Sequence, residues 1–118
     1  MFTVLESRDG TLTVLLTGEI DHHCAGKMRD EIDAAIEHHR PDKLVLDFKG
    51  VSFMDSSGIG LVMGRYRLMK SIGGMVYVVN TPNPLKKVMR ISGLYDLAKF
   101  DDEEENKSET DKQHENGI

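Results

Sequence analysis

Tryptophan is missing from this 118-residue chain, cysteine occurs once, and aromatic residues make up only 6% of it. A single cysteine, Cys24, cannot close an internal disulfide, and without histidine help it cannot build the usual four-ligand zinc site. The fold must therefore rest on packed aliphatic side chains, and 39% hydrophobic residues suffice for one core of this size. No apolar run approaches the roughly 18 residues of a membrane-spanning helix, and nothing resembles a secretory leader, so a soluble, cytoplasmic protein is expected. The chain also lacks a positive balance, with 20 acids against 15 bases and a net charge of −5. That excess is local. Residues 101–118 hold eight acids against Lys107 and Lys112, whereas residues 1–100 are within one charge of neutrality. The folded part thus lacks the basic field that neutralises a nucleic-acid backbone, and no direct nucleic-acid contact is expected.

Apolar alternation in Phe2-Thr-Val-Leu-Glu6 and Thr11-Leu-Thr-Val-Leu-Leu-Thr17, split by Asp9-Gly10, predicts an opening β-hairpin. Asp21 is placed to cap a helix in which Cys24, Met28, Ile32, Ala35, Ile36 and His39 recur at helical spacing and which Pro41 stops. A strand at 43–48 leads into a second helix that runs from the serines to about Ser71, and Met75–Asn80 reads as the next strand. Thr81-Pro-Asn-Pro84 predicts a helix start with Thr81 or Asn83 as cap. That helix should bury Leu85, Val88 and Met89 and end at Gly93, before a last strand near residues 97–100. Serial β-α-β crossovers give parallel pairing, so the expectation is a single α/β domain over residues 1–100. Its mixed sheet should have about five strands, with helices packed on it. Residues 101–118 read as an acidic, disordered tail.

Within this frame Ser56, Ser57 and Gly58 open the second helix. The first N–H groups of a helix lack internal partners and carry partial positive charge, so an anion such as a phosphate is tolerated there. Ordinary capping by serine or aspartate fits the same residues and is compatible with phosphorylation. Gly60, Gly64, Arg67 and Ser71 then recur on one stripe of the helix, opposite Ile59, Val62, Met63, Tyr66 and Met69. An outward stripe would leave bare backbone for a partner, and an inward one would let the helix pack tightly on its own domain. The residues alone leave both open.

Other chemistries fit poorly. A nucleophile elbow needs Gly-x-Ser-x-Gly, but Met54 and Asp55 stand two residues before the candidate serines. Gly58-Ile-Gly-Leu-Val-Met-Gly64 is one residue too long for a dinucleotide loop, and Asn80 stands where an acid would be needed. His22-His23-Cys24 and His38-His39 lie at opposite ends of one helix and do not converge on a metal. No cofactor is expected.

Taken together, Gly18-Glu-Ile-Asp-His-His23, Ser52-Phe-Met-Asp-Ser-Ser-Gly-Ile-Gly60, Gly64-Arg-Tyr66 and Ile91-Ser-Gly-Leu94 resemble the anti-sigma factor antagonist family, also called the STAS domain. The Asp-His-His and Phe-Met-Asp-Ser-Ser-Gly segments resemble its anti-sigma-F branch, from spore-forming bacteria. The resemblance covers roughly residues 1–100. It implies a non-enzymatic switch regulating sporulation-specific transcription. The unmodified protein, monomeric when free, binds an ATP- or ADP-bound anti-sigma factor that is also a serine kinase, and thereby releases the sigma factor. Phosphorylation ends that interaction, and a PP2C-type phosphatase restores it. The resemblance places the acceptor at Ser56, with Ser57 as fallback. Asp21 and Asp55 match family positions near the switch, and the expected partner surface is Asp21, His22, Asp55, Ser56, Ser57 and Gly58 together with Gly60, Gly64 and Arg67 of the outward-stripe reading. Family members usually finish with an amphipathic helix, which the acidic residues from Asp101 onward do not suggest. A small-ligand-binding module and a stressosome-type scaffold subunit are the competing readings.

Overall fold

In a computed structural model, which describes residues 4–101, the elements alternate after an initial hairpin. Strand β1 (Val4–Arg8) turns through Asp9 and Gly10 into β2 (Thr11–Ile20). Both turn residues have positive φ, 51° and 78°, which the tight reversal requires and which glycine adopts at no steric cost. Helix α1 (Ala25–His39), β3 (Lys43–Met54), α2 (Ser56–Ser71), β4 (Met75–Val79), α3 (Asn83–Ile91), a 3-10 turn (Leu94–Asp96) and β5 (Lys99–Phe100) follow.

The five strands lie in chain order, with β1 antiparallel to β2 and all later neighbours parallel. Each parallel step is a β-α-β crossover in the same direction, and right-handed crossovers of that kind lay their helices on one face of the sheet. Burial agrees. Leu12, Val14, Leu16, Leu44, Leu46, Phe48, Val76 and Val78 are buried, whereas the alternate residues Thr13, Leu15, Val45 and Tyr77 are half-buried or exposed. Met28, Ile32 and Ile36 of α1, Leu61, Val62 and Met69 of α2, and Leu85 and Met89 of α3 complete the core.

Several expectations need correction. Helix α1 starts at Ala25, because Asp21 first organises a turn over residues 22–24. His39 is exposed, since it lies in the last turn of α1 beyond Ile36, the final inward position. Strand β3 continues to Met54, well past Phe48, because β2 keeps pairing with it. Neither Thr81 nor Asn83 caps α3. Pro82 is extended at the N-cap, and its carbonyl accepts from Leu85 and Lys86, so the prolines set the first turn without a side-chain cap. Val88 is 41% exposed: with Leu85 and Met89 directed inward on a nine-residue helix, it falls on the rim. Gly93 does end α3. Of the disordered tail expected over residues 101–118, Asp101 is instead held in place, its Oδ2 accepting from the Asn80 N–H at 3.0 Å, and residues 102–118 lie outside the described residues.

Candidate functional site

Two strand ends that are 34 positions apart in sequence meet at the site. Ile20 of β2 is in register with Met54 of β3, and the Asp55 N–H donates to the Ile20 carbonyl at 3.2 Å. The loop after β2 and the start of α2 therefore emerge side by side. In the loop, Asp21 Oδ1 accepts from the N–H groups of His23 (3.0 Å) and Cys24 (3.1 Å). Desolvation pushes the Asp21 carboxyl pKa up, but these N–H groups, the Cys24 thiol and nearby His23 outweigh it and hold it below the ordinary value. Desolvation and the neighbouring carboxylate raise the Cys24 thiol, which keeps it protonated.

On the other side, Asp55 is the N-cap of α2 in extended conformation, and its Oδ1 accepts from Ser57 N–H at 2.8 Å. Its other oxygen lies 3.9 Å from His22 Nδ1, which ties the loop to the helix start. Capping thus falls to the aspartate. Ser56, the first helical residue, is exposed, and its hydroxyl makes no hydrogen bond to another described residue. Ser57 is half-buried and borders a cleft of about 260 Å³ between α1 and α2, together with Gly26, Arg29, Gly60 and Gly64.

The glycines separate by face. A Cβ at Gly58 would collide with the side chain of Met54, so this residue must be small to let α2 start against the sheet. At Gly60 and Gly64 a Cβ would meet nothing within 4 Å. Their stripe faces outward, while Val62 and Met69 on the other side are buried. The structure thus brings Asp21, His22, Asp55, Ser56 and Ser57 together, runs Gly60 and Gly64 along the adjoining surface, and turns Gly58 inward. Arg67 is exposed on the same helix, about 16 Å further along its axis than Ser56 at the usual helical rise.

One pair was not anticipated. Arg65, 6% exposed, holds Asp33 of α1 with Nε and Oδ1 2.7 Å apart, and its Nη1 donates to the Leu61 carbonyl at 3.3 Å. Desolvation lowers the guanidinium pKa, and the Asp33 carboxylate opposes that shift. An arginine four residues after inward Leu61 was the available signal. Among the described residues no cluster of three or more His, Cys, Asp or Glu could hold a metal ion, and no helix is long and apolar enough to cross a membrane.

The STAS domain family model matches residues 3–106. The chain belongs to the STAS family, among the anti-sigma factor antagonists. It is 37% identical over 102 residues to the anti-sigma F factor antagonist of Paenibacillus polymyxa, covering 86% of this chain and 87% of that one. With the anti-sigma F factor antagonist of Lysinibacillus sphaericus it shares 39% identity over 84 residues, 71% and 72% of the two chains. Among solved structures, unphosphorylated SpoIIAA, an anti-sigma factor antagonist, superposes with a TM-score of 0.74 at 33% identity, over 99% of this STAS chain and 98% of that one. The phosphorylated form of the Bacillus cell fate determinant SpoIIAA gives 0.67 at 34% identity, over 92% and 99%.

Proposed function

We propose that this STAS protein is an anti-sigma factor antagonist switched by phosphorylation of Ser56, acting in sporulation-specific transcription. Its unmodified form binds a nucleotide-loaded anti-sigma factor with serine kinase activity and so releases the sigma factor, and a PP2C-type phosphatase regenerates it. The observation that carries this reading is the exposed Ser56 hydroxyl at the first position of α2, left free because Asp55 does the capping. The Asp21–His22 loop, Ser57 and the bare backbone at Gly60 and Gly64 extend the same surface, and Arg67 prolongs it along α2. Likeness to both an unphosphorylated and a phosphorylated SpoIIAA supports the compatibility of this backbone with phosphorylation.

Magnitudes favour a switch at the interface over a change of fold. Phosphate adds roughly −1.5 to −2 charges. The helix dipole returns about 0.3–1 kcal/mol at an exposed site, and the Asp55 carboxylate already occupying the helix start offsets part of that. Against a partner surface shaped for a neutral hydroxyl, the same charge costs several kcal/mol, and about 3 kcal/mol weakens binding more than a hundredfold. The test is incubation with the cognate anti-sigma kinase and ATP, followed by mass-spectrometric mapping. Phosphate on Ser56, lost in Ser56→Ala, together with a more than hundredfold weaker complex for Ser56→Glu, is the expected result. Modification elsewhere, or undiminished binding by Ser56→Glu, overturns the reading.

A further inference from the structure

The two strands that deliver the site run on past β4. Strand β4 pairs with β3 only as far as Asp47 opposite Val79, whereas β2 and β3 remain paired to Ile20 opposite Met54. Among the described residues, 17–20 and 50–54 therefore pair only with each other and form a two-stranded ribbon, with the Asp21–His22 loop and Ser56 at its end. On this ribbon Val51 and Met54 are 4% and 6% exposed, while Phe53 is 48% exposed. Strict alternation from Val51 would bury Phe53 and expose Met54. It is broken because Gly18 pairs with Val51 and Glu19 with Phe53, which leaves Ser52 as an extra residue. Such a bulge re-aims the side chains that follow it, and bulges concentrate beside functional sites. Here it turns a phenylalanine out to solvent three residues before Ser56.

We infer that Phe53 is the apolar anchor of the surface that docks the anti-sigma factor, seated in a hydrophobic pocket of that partner while Ser56 is read beside it. The inference rests on the switch reading above, and it adds a residue that the family-based site did not include. Two observations and one general preference favour this occupant. The ribbon is continuous with Asp55 and Ser56. Its exposed aromatic is paired across the ribbon with exposed Glu19 and lies two residues before Asp55 in sequence, so polar residues adjoin an apolar centre as they do in protein interfaces. Phenylalanine is also among the aromatic residues enriched at the core of protein interfaces.

The experiment measures the affinity of the full chain for the ADP-bound cognate anti-sigma factor, using Phe53→Ser, Phe53→Tyr and Ser56→Glu, with a thermal melt and a sizing column for each. Phe53→Ser should weaken binding by about tenfold or more at unchanged melting temperature, and Phe53→Tyr should stay within about threefold of the parent. Wild-type affinity in Phe53→Ser, with Ser56→Glu crippled, overturns the anchor and leaves the switch standing. Weak binding by Phe53→Ser, with Ser56→Glu unaffected, keeps the anchor and removes the switch. Loss of melting temperature in both phenylalanine variants would make Phe53 a structural residue, and a change of oligomeric state without loss of affinity would assign the ribbon to a second copy. Either of those also overturns the anchor.

Discussion

Three glycines within two turns of α2 should respond to alanine with opposite signs. Gly60 and Gly64 have no atom within 4 Å of a built Cβ, so alanine there gains the helix preference of about 0.8–1.0 kcal/mol over glycine without a clash. The double variant should gain about 1.5–2 kcal/mol. At the lower end of the usual ~4–8 °C per kcal/mol this raises the melting temperature by about 6–8 °C. Gly58→Ala instead drives a methyl into Met54, itself 6% exposed, where overpacking costs about 1–3 kcal/mol. Helix preference returns part of that, leaving a net loss of about 1 kcal/mol. Urea denaturation followed by circular dichroism separates the three. Destabilisation by Gly60→Ala or Gly64→Ala would refute the outward stripe and restore tight packing as the reason for those glycines. If the signs are as stated, the fold itself is better served by alanine at both positions, and the glycines answer to something outside the domain. Gly64→Leu then completes the argument: a folded protein with weakened binding to the anti-sigma factor is expected, and undiminished binding would remove the stripe from the interface.

Asp33→Ala strands the Arg65 guanidinium, whose side chain is 7% exposed, and should cost about 2 kcal/mol. That is less than the ~3–5 kcal/mol of a fully buried broken pair because Asp33 is itself 36% exposed. Adding Arg65→Met removes the stranded charge and should recover most of the loss, whereas a double variant no better than the sum of the singles refutes the pairing. Because the pKa of Asp21 is depressed in the folded state, the turn it braces is supported above the ordinary carboxylate value of about 3.9 and loses that support as pH falls through the lower, folded value. The His23 and Cys24 amide shifts should report a midpoint below 3.9; a midpoint at or above it, or no change on Asp21→Asn, contradicts the account.

Local signals carried most of the fold. Asp9-Gly10 announced the hairpin, Asp55-Ser-Ser-Gly58 opened α2, and Pro41 and Gly93 bounded helices, because turn and cap chemistry acts over a few residues. What escaped depends on register. Lys49-Gly50 looks like the end of a strand, yet β3 continues because β2 stays beside it to Ile20. Only that pairing puts Asp21 and His22 next to Asp55, and motif resemblance had grouped them without giving the reason. The outward turn of Phe53 was illegible for a related cause, since a one-residue bulge reverses every later side chain and leaves no mark on composition. Arg65 reads as a surface residue until Asp33, 32 positions earlier, is placed across from it.

The arrangement also limits how the proposed switch can act. A conformational switch needs an element with two packings a few kcal/mol apart, and a ligand or modification that prefers one of them. The start of α2 offers no such element among the described residues. Asp55 is tied to Ile20 through its N–H and to Ser57 through its side chain, Gly58 is wedged against Met54, and the inward face continues through Leu61, Val62 and Met69 into the core. The exposed Ser56 hydroxyl makes no hydrogen bond to another described residue, so a phosphate added to it breaks none of the contacts that hold the start of α2 in place. Its effect must be exerted on whatever lies opposite, which makes direct occlusion at the docking surface the mechanism this geometry allows.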